Sequence, residues 1–208
     1  MDAKVLEQRK VYDPALRLMH AWNGIAVLGL IATAMLAEAY ERGGTEDRIW
    51  HIHVLFGYGL SLGLAARLVW GLLGPRSARF SDMWHPGVWK RALLSLRIPV
   101  SRRYGHNALA SAAYLLVYLA LGFMAATGLA LAAIEQGSGP LTLWLFDAVN
   151  LKEVFKEPHE AIAWLVGGFV CLHFAGLYYH ERIERIPTAR SMLTGWQYRH
   201  PKEESRHA

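Results

Sequence analysis

NALASAAYLLVYLALGFMAATGLALAAI, residues 107–134, runs for 28 positions without a charged side chain. A helix needs about 20 mostly apolar residues to cross the hydrocarbon core of a bilayer, so this stretch is long enough by itself. Three more runs flank it. Residues 18–37 are apolar except for His20, residues 49–73 are interrupted by His51, His53 and Arg67, and residues 161–179 contain only His173 as an ionisable group. Four such runs in 208 residues leave too little polar sequence to cover them as a soluble core. The sequence therefore predicts an all-α membrane protein. It is expected to form a four-transmembrane-helix bundle within a single domain, 1–208, with spans at about 14–38, 49–73, 106–134 and 159–180. The first run is not expected to be a cleaved signal peptide: polar and acidic residues precede it and its apolar core is too long. Pro14 after Asp13 fits a helix start, with Asp as the cap and Pro in the first helical position.

Charge orients the bundle. Of 22 Lys and Arg, 18 fall in residues 1–17, the 67–105 connection and the tail from 180, which share one side of the membrane. Connections 38–50 and 135–160 hold nine of the 17 acids. The positive-inside rule makes the basic side, and both termini, cytoplasmic. The net charge of +5 then reflects topology and contact with membrane lipid, not nucleic acid. The expected location is the bacterial inner membrane, crossed several times. The single Cys171 excludes an internal disulfide, a CxxC pair and a thiolate zinc site. No nucleophile–base pair or phosphate loop argues for hydrolysis.

Two connections have character of their own. Residues 84–97 place Val88, Trp89, Ala92, Leu93 and Leu96 on one helical face, with Lys90, Arg91 and Arg97 elsewhere. This predicts a basic amphipathic helix in the interface between helices two and three. Residues 141–155 (LTLWLFDAVNLKEVF) are apolar, aromatic and weakly acidic. They read either as a packed loop or as a docking surface for a periplasmic partner.

Ionisable groups inside a span are costly, so the intramembrane histidines need partners or a purpose. His20 and His173 each lie about two turns from the cytoplasmic end of their helices, at similar depth. His53 and His159 open their helices on the outer side, also at similar depth. His159 and His173 are 14 residues apart, which puts them about 40° apart in azimuth and about 21 Å apart along one helix. One helix face thus offers two imidazoles at two depths, each with a facing candidate on another helix. Neutral imidazoles on opposing helices can clamp a haem in a bundle core, and two stacked clamps make an electron wire. The ordinary alternative is that all four are hydrogen-bonded structural or proton-relay residues.

Neighbouring residues suit the haem reading. Gly24, Gly57 and Gly176 lie one turn from His20, His53 and His173, where a missing side chain lets a flat macrocycle approach. Small residues equally serve helix approach. Arg17 shares the face of His20, and Arg67 lies on nearly the stripe of His53 at the inner depth. Either guanidinium can neutralise a haem propionate or snorkel to phosphates. His51 and His180 are the rivals for the outer and inner sites. His106 opens helix three, positioned for a propionate or a quinone.

These residues form an ordered set. Val11-Tyr12-Asp13-Pro14 through Arg17-Leu18-Met19-His20-Ala21-Trp22 resembles the V-W-D-x-x-x-R-x-x-H-W opening of bacterial di-haem cytochromes b, the cytochrome b561 and hydrogenase-type subunits. His53-Val54-Leu55-Phe56-Gly57-Tyr58, Arg67-Leu68-Val69-Trp70-Gly71, Gly105-His106-Asn107-Ala108-Leu109 and His159-Glu160 with His173 extend the resemblance from about residue 9 to 195. It implies two haem b groups with His20, His53, His159 and His173 as axial iron ligands. It also implies electron transfer between a periplasmic redox protein, a c-type cytochrome or hydrogenase, and the quinone pool. Tyr12 and Ala21 stand where the motif has Trp. Only four spans are legible, whereas hydrogenase-type subunits often carry another.

Two further readings compete. A stand-alone quinone oxidoreductase would take electrons from a small reductant such as superoxide. A haem-free proton- or metal-handling protein would use the histidines directly, but pairs about 21 Å apart cannot share one ion.

Overall fold

The structure is a computed structural model that describes residues 6–40, 44–95 and 108–199. Asp13 starts the first long helix. Its Oδ1 accepts from the Leu16 N–H at 3.0 Å and its carbonyl accepts from the Arg17 N–H at 3.2 Å. Pro14 occupies the first helical position, where its missing N–H has no intrahelical use. From there α1 (Pro14–Ala39) runs for 26 residues. The second helix, α2 (Gly44–Leu73), begins five residues before the apolar run, and Glu46 and Asp47 lie in its first turn. Carboxylates there meet the positive end of the helix dipole.

After a 3₁₀ turn at Arg76–Ala78 come α3 (Phe80–Met83) and α4 (Pro86–Ser95). The latter is the amphipathic helix expected between helices two and three. No residue of it is buried, Trp84 stacks edge-on against Trp89 at 5.2 Å, and Leu93 and Leu94 are exposed. Leu96 and Arg97 lie outside the described residues. The third long helix is α5 (Ala108–Gln136). The 141–155 connection folds into α6 (Thr142–Leu145) and a 3₁₀ turn at Val149–Leu151. The last long helix, α7 (Lys152–Tyr178), carries Pro158 within it, so the Val154 carbonyl loses its usual helical donor. A π turn at Tyr179–Ile183 and α8 (Thr188–Thr194) follow. Four helices, Pro14–Ala39, Thr45–Leu73, Ala110–Gln136 and Val149–Ile183, are long and apolar enough to cross a membrane. The fold-class expectation holds.

The chain divides into two compact units. One comprises Met19–Val69 and Ala113–Val170. Its core takes one buried residue from each long helix: Ala26, Leu60, Leu121 and Val166. Leu30, Leu64, Met124 and Ile162 pack around them, giving a four-helix bundle. Leu28, Leu62, Leu119 and Trp164 face outward, as a bundle surrounded by lipid tails requires. Between apolar helices in lipid, close packing and hydrogen bonds must replace the hydrophobic drive. Gly29 permits such closeness: a Cβ there would sit 2.6 Å from the Phe56 ring. Trp22 adds an interhelical bond from Nε1 to the Gly59 carbonyl at 2.8 Å.

The other unit comprises Met1–Leu18, Trp70–Ala112 and Cys171–Ala208. It contains something the sequence reading did not include, a two-stranded antiparallel sheet. In it β1 (Glu7–Lys10) pairs with β2 (Trp196–Arg199), with Glu7 opposite Arg199 and Lys10 opposite Trp196. The alternation of Trp196-Gln197-Tyr198-Arg199 after Gly195 is the only local sign of it. Tyr12, Leu16 and Ala78 form a small core with Val11, Trp70 and Met192 against them. Trp70 Nε1 donates to Asp13 Oδ1 at 3.1 Å. Arg17 donates from Nε to the Met192 carbonyl at 3.1 Å and from Nη2 to the Leu193 carbonyl. Gly195 ends α8 at φ 86°, and its carbonyl accepts from the N–H groups of Val11 and Tyr12.

Candidate functional site

The bundle unit brings two of the predicted histidines to one end. His53 lies on α2 and His159 on α7, both half-buried. Neither opens its helix as the apolar runs suggested, since α2 and α7 begin nine and seven residues earlier. Each ring nitrogen Nδ1 meets a threonine on a neighbouring helix. His53 Nδ1 is 2.9 Å from Thr33 Oγ1 of α1, and His159 Nδ1 is 2.8 Å from Thr127 Oγ1 of α5. Both threonines are buried. Trp50 stacks edge-on against His53 at 5.3 Å. Gly128 lets the His159 ring approach α5, because a Cβ there would lie 3.2 Å from its Cε1.

Polar links tie the same helix ends together. His51 Nδ1 pairs with Gln136 Oε1 at 3.1 Å, Tyr58 with the Ser138 hydroxyl at 3.0 Å, and Lys152 with Glu135 at 2.9 Å. His51 is thereby occupied at the bundle rim.

The remaining predicted residues are distributed between the units. His20, exposed on α1, belongs to the bundle unit. His173 belongs to the other, half-buried and edge-on to Phe174 at 5.9 Å. His180 sits in the π turn, with Nδ1 2.7 Å from Glu184 Oε2. Arg67 is buried in the bundle unit, donates from Nε to the Tyr118 hydroxyl at 3.2 Å and lies over that ring. Arg17 holds the end of α8. His106 lies outside the described residues. Thr33, Thr127 and Tyr118 were missed from the sequence, where single hydroxyls in apolar helices carry no distinguishing pattern.

The site suits a haem in its donor chemistry. Imidazoles on different helices of an apolar bundle are suitable haem ligands. Gly24 and Gly57 have no heavy atom within 4 Å of where a Cβ would stand, which leaves room for a flat macrocycle. Among the described residues no three or more His, Cys, Asp or Glu converge as a cage for a simple ion.

Fold and side chains together define a multi-pass helical membrane protein carrying paired imidazoles among its spans. The description of a family model, prokaryotic cytochrome b561, matches residues 11–195, and the chain belongs to that family of electron-transferring membrane b-type cytochromes. It is also similar to a probable Ni/Fe-hydrogenase B-type cytochrome subunit of Rhodobacter capsulatus, 25% identical over 208 aligned residues, covering 89% of this chain and 79% of the relative. No solved structure matches it significantly.

Proposed function

We propose that this chain is a di-haem b-type cytochrome, a single membrane domain that passes electrons between a periplasmic redox protein and the quinone pool. The observation that carries the reading is that His53 and His159, on two helices of one four-helix bundle, each meet a buried threonine of another helix through Nδ1. They would hold one haem, and the resemblance to di-haem cytochromes b gives His20 and His173 as the ligands of the other. When bound, haem supplies a one-electron iron couple whose potential the protein tunes through ligands, hydrogen bonds and burial.

The chain's own residues supply the setting. Gly24 and Gly57 leave space beside the ligand helices. Arg67, buried and hydrogen-bonded to Tyr118, offers a fixed positive charge for a propionate. The sequence offers Arg17, three residues before His20, for a second propionate, and His106 for a propionate or a quinone. The relative's name supports a hydrogenase as the partner class, with a c-type cytochrome the other. Leu143, Trp144, Phe146 and Val149, all exposed, supply a docking surface for it. Pairing of β1 with β2 supports both ends of the chain lying on one side, which the basic residues make cytoplasmic.

The test is a dithionite-reduced minus air-oxidised spectrum of the detergent-purified protein, with haem quantified per chain. Sharp b-type bands at two haems per chain are expected. One haem means that one pair is misassigned. No haem in folded protein made with haem supplied overturns the reading.

A further inference from the structure

The two threonines at the outer histidines repeat one arrangement on different helices. Thr33 Oγ1 lies 2.7 Å from the Gly29 carbonyl and 3.1 Å from the Leu30 carbonyl of its own helix. Thr127 Oγ1 lies 2.9 Å from the Phe123 carbonyl and 3.2 Å from that of Met124. A hydroxyl has one proton, and a carbonyl can only accept. With its proton committed to the helix backbone, each threonine can meet a histidine Nδ1 only as an acceptor. Each threonine oxygen therefore calls for a hydrogen on the histidine Nδ1 it meets.

A neutral imidazole carries one N–H. Fixing it at Nδ1 leaves Nε2 with a bare lone pair, the form that binds iron. The hydrogen bond also sets ring orientation and raises the basicity of Nε2.

We infer that Thr33 and Thr127 are positioning residues, which lock His53 and His159 in the Nδ1–H tautomer and hold Nε2 ready for the outer haem. The inference rests on the haem reading above and adds its donor control. Two helices contribute imidazoles, and the other two contribute the acceptors that aim them. A more basic Nε2 favours ferric iron, so these hydroxyls lower the outer haem's potential relative to a site without them.

The test uses the full chain purified with haem, comparing Thr33→Val, Thr127→Val and the double variant with Thr33→Ser and Thr127→Ser. Haem per chain and spectroelectrochemical titration are the readouts. Each valine variant is expected to lose outer-haem affinity on the order of tenfold. It is also expected to shift the ferric-to-ferrous ratio at fixed potential by roughly tenfold toward ferrous, which for one electron is about 59 mV upward. The serine variants keep the hydroxyl and should titrate like the parent. Should a valine variant fail to fold, the corresponding alanine variant removes the same bond without adding a methyl group. Valine variants with parental potential and haem content overturn the threonine role while leaving the cytochrome reading intact. Absence of haem from the folded parent overturns the cytochrome reading instead. In that case ¹⁵N spectra of labelled histidine still read the tautomer, and Nε2–H at His53 and His159 overturns the lock.

Discussion

The bundle unit and the unit built on the paired strands are held by different forces. In the first, Ala26, Leu60, Leu121 and Val166 pack at the centre, and side-chain polar links join the helices both beside the histidines and at Trp22 and Arg67. In the second, the small core of Tyr12, Leu16 and Ala78 is framed by backbone pairing, a capping aspartate and the guanidinium of Arg17. Close-packed membrane helices tolerate few polar groups, so those they keep find partners on neighbouring helices. Backbone outside regular helix has many free donors and acceptors, and each must find a partner.

The contrast can be broken most severely at the proposed haem ligands. His53→Ala or His159→Ala should reduce two haems per chain to one while far-ultraviolet helicity persists, as read by pyridine haemochrome assay and circular dichroism. Loss of both haems would show that the two clamps are not independent.

Arg17→Met keeps the apolar stem but removes both bonds to α8. Hydrogen bonds to a charged group are worth about 1.5–3 kcal/mol, and a loss of that order is expected in denaturant titration in detergent. Outer-haem bands should be unchanged. Gly195→Ala attacks the same unit from the backbone. A left-handed residue with a side chain costs about 1–2 kcal/mol, and the new Cβ would stand 2.6 Å from the Tyr12 carbonyl. Faster tryptic cleavage at Arg199 should report the opened strand pair. Lys152→Ala, which breaks the partly exposed link to Glu135, should cost no more than about 1 kcal/mol, less at high salt. A larger loss would mean that rim polar links hold the bundle more than its packing does.

The spans were legible because a charge-free run of 28 residues has few alternatives to a membrane helix. The true starts of α2 and α7 were not. Glu46, Asp47 and Lys152 are too polar to count as membrane sequence, yet they are good residues for a first turn. The Asp13 cap with Pro14 was legible because its pattern is local. The strand pair escaped because its members lie at opposite ends of the sequence, and neither pattern implies the other. The histidines could be ranked by depth, but the threonines that aim them become visible only when helices are placed side by side.

The β1–β2 pairing also has a consequence for biosynthesis. Glu7–Lys10 is made before the four long helices and Trp196–Arg199 after them, so β1 waits for its partner until those helices have been synthesised. For a free coil, closing such a loop would carry an entropy cost growing with the logarithm of its length. Four inserted helices bring the chain back to the same face beforehand and remove most of that cost. Closure of the strands thus follows synthesis of the helices between them.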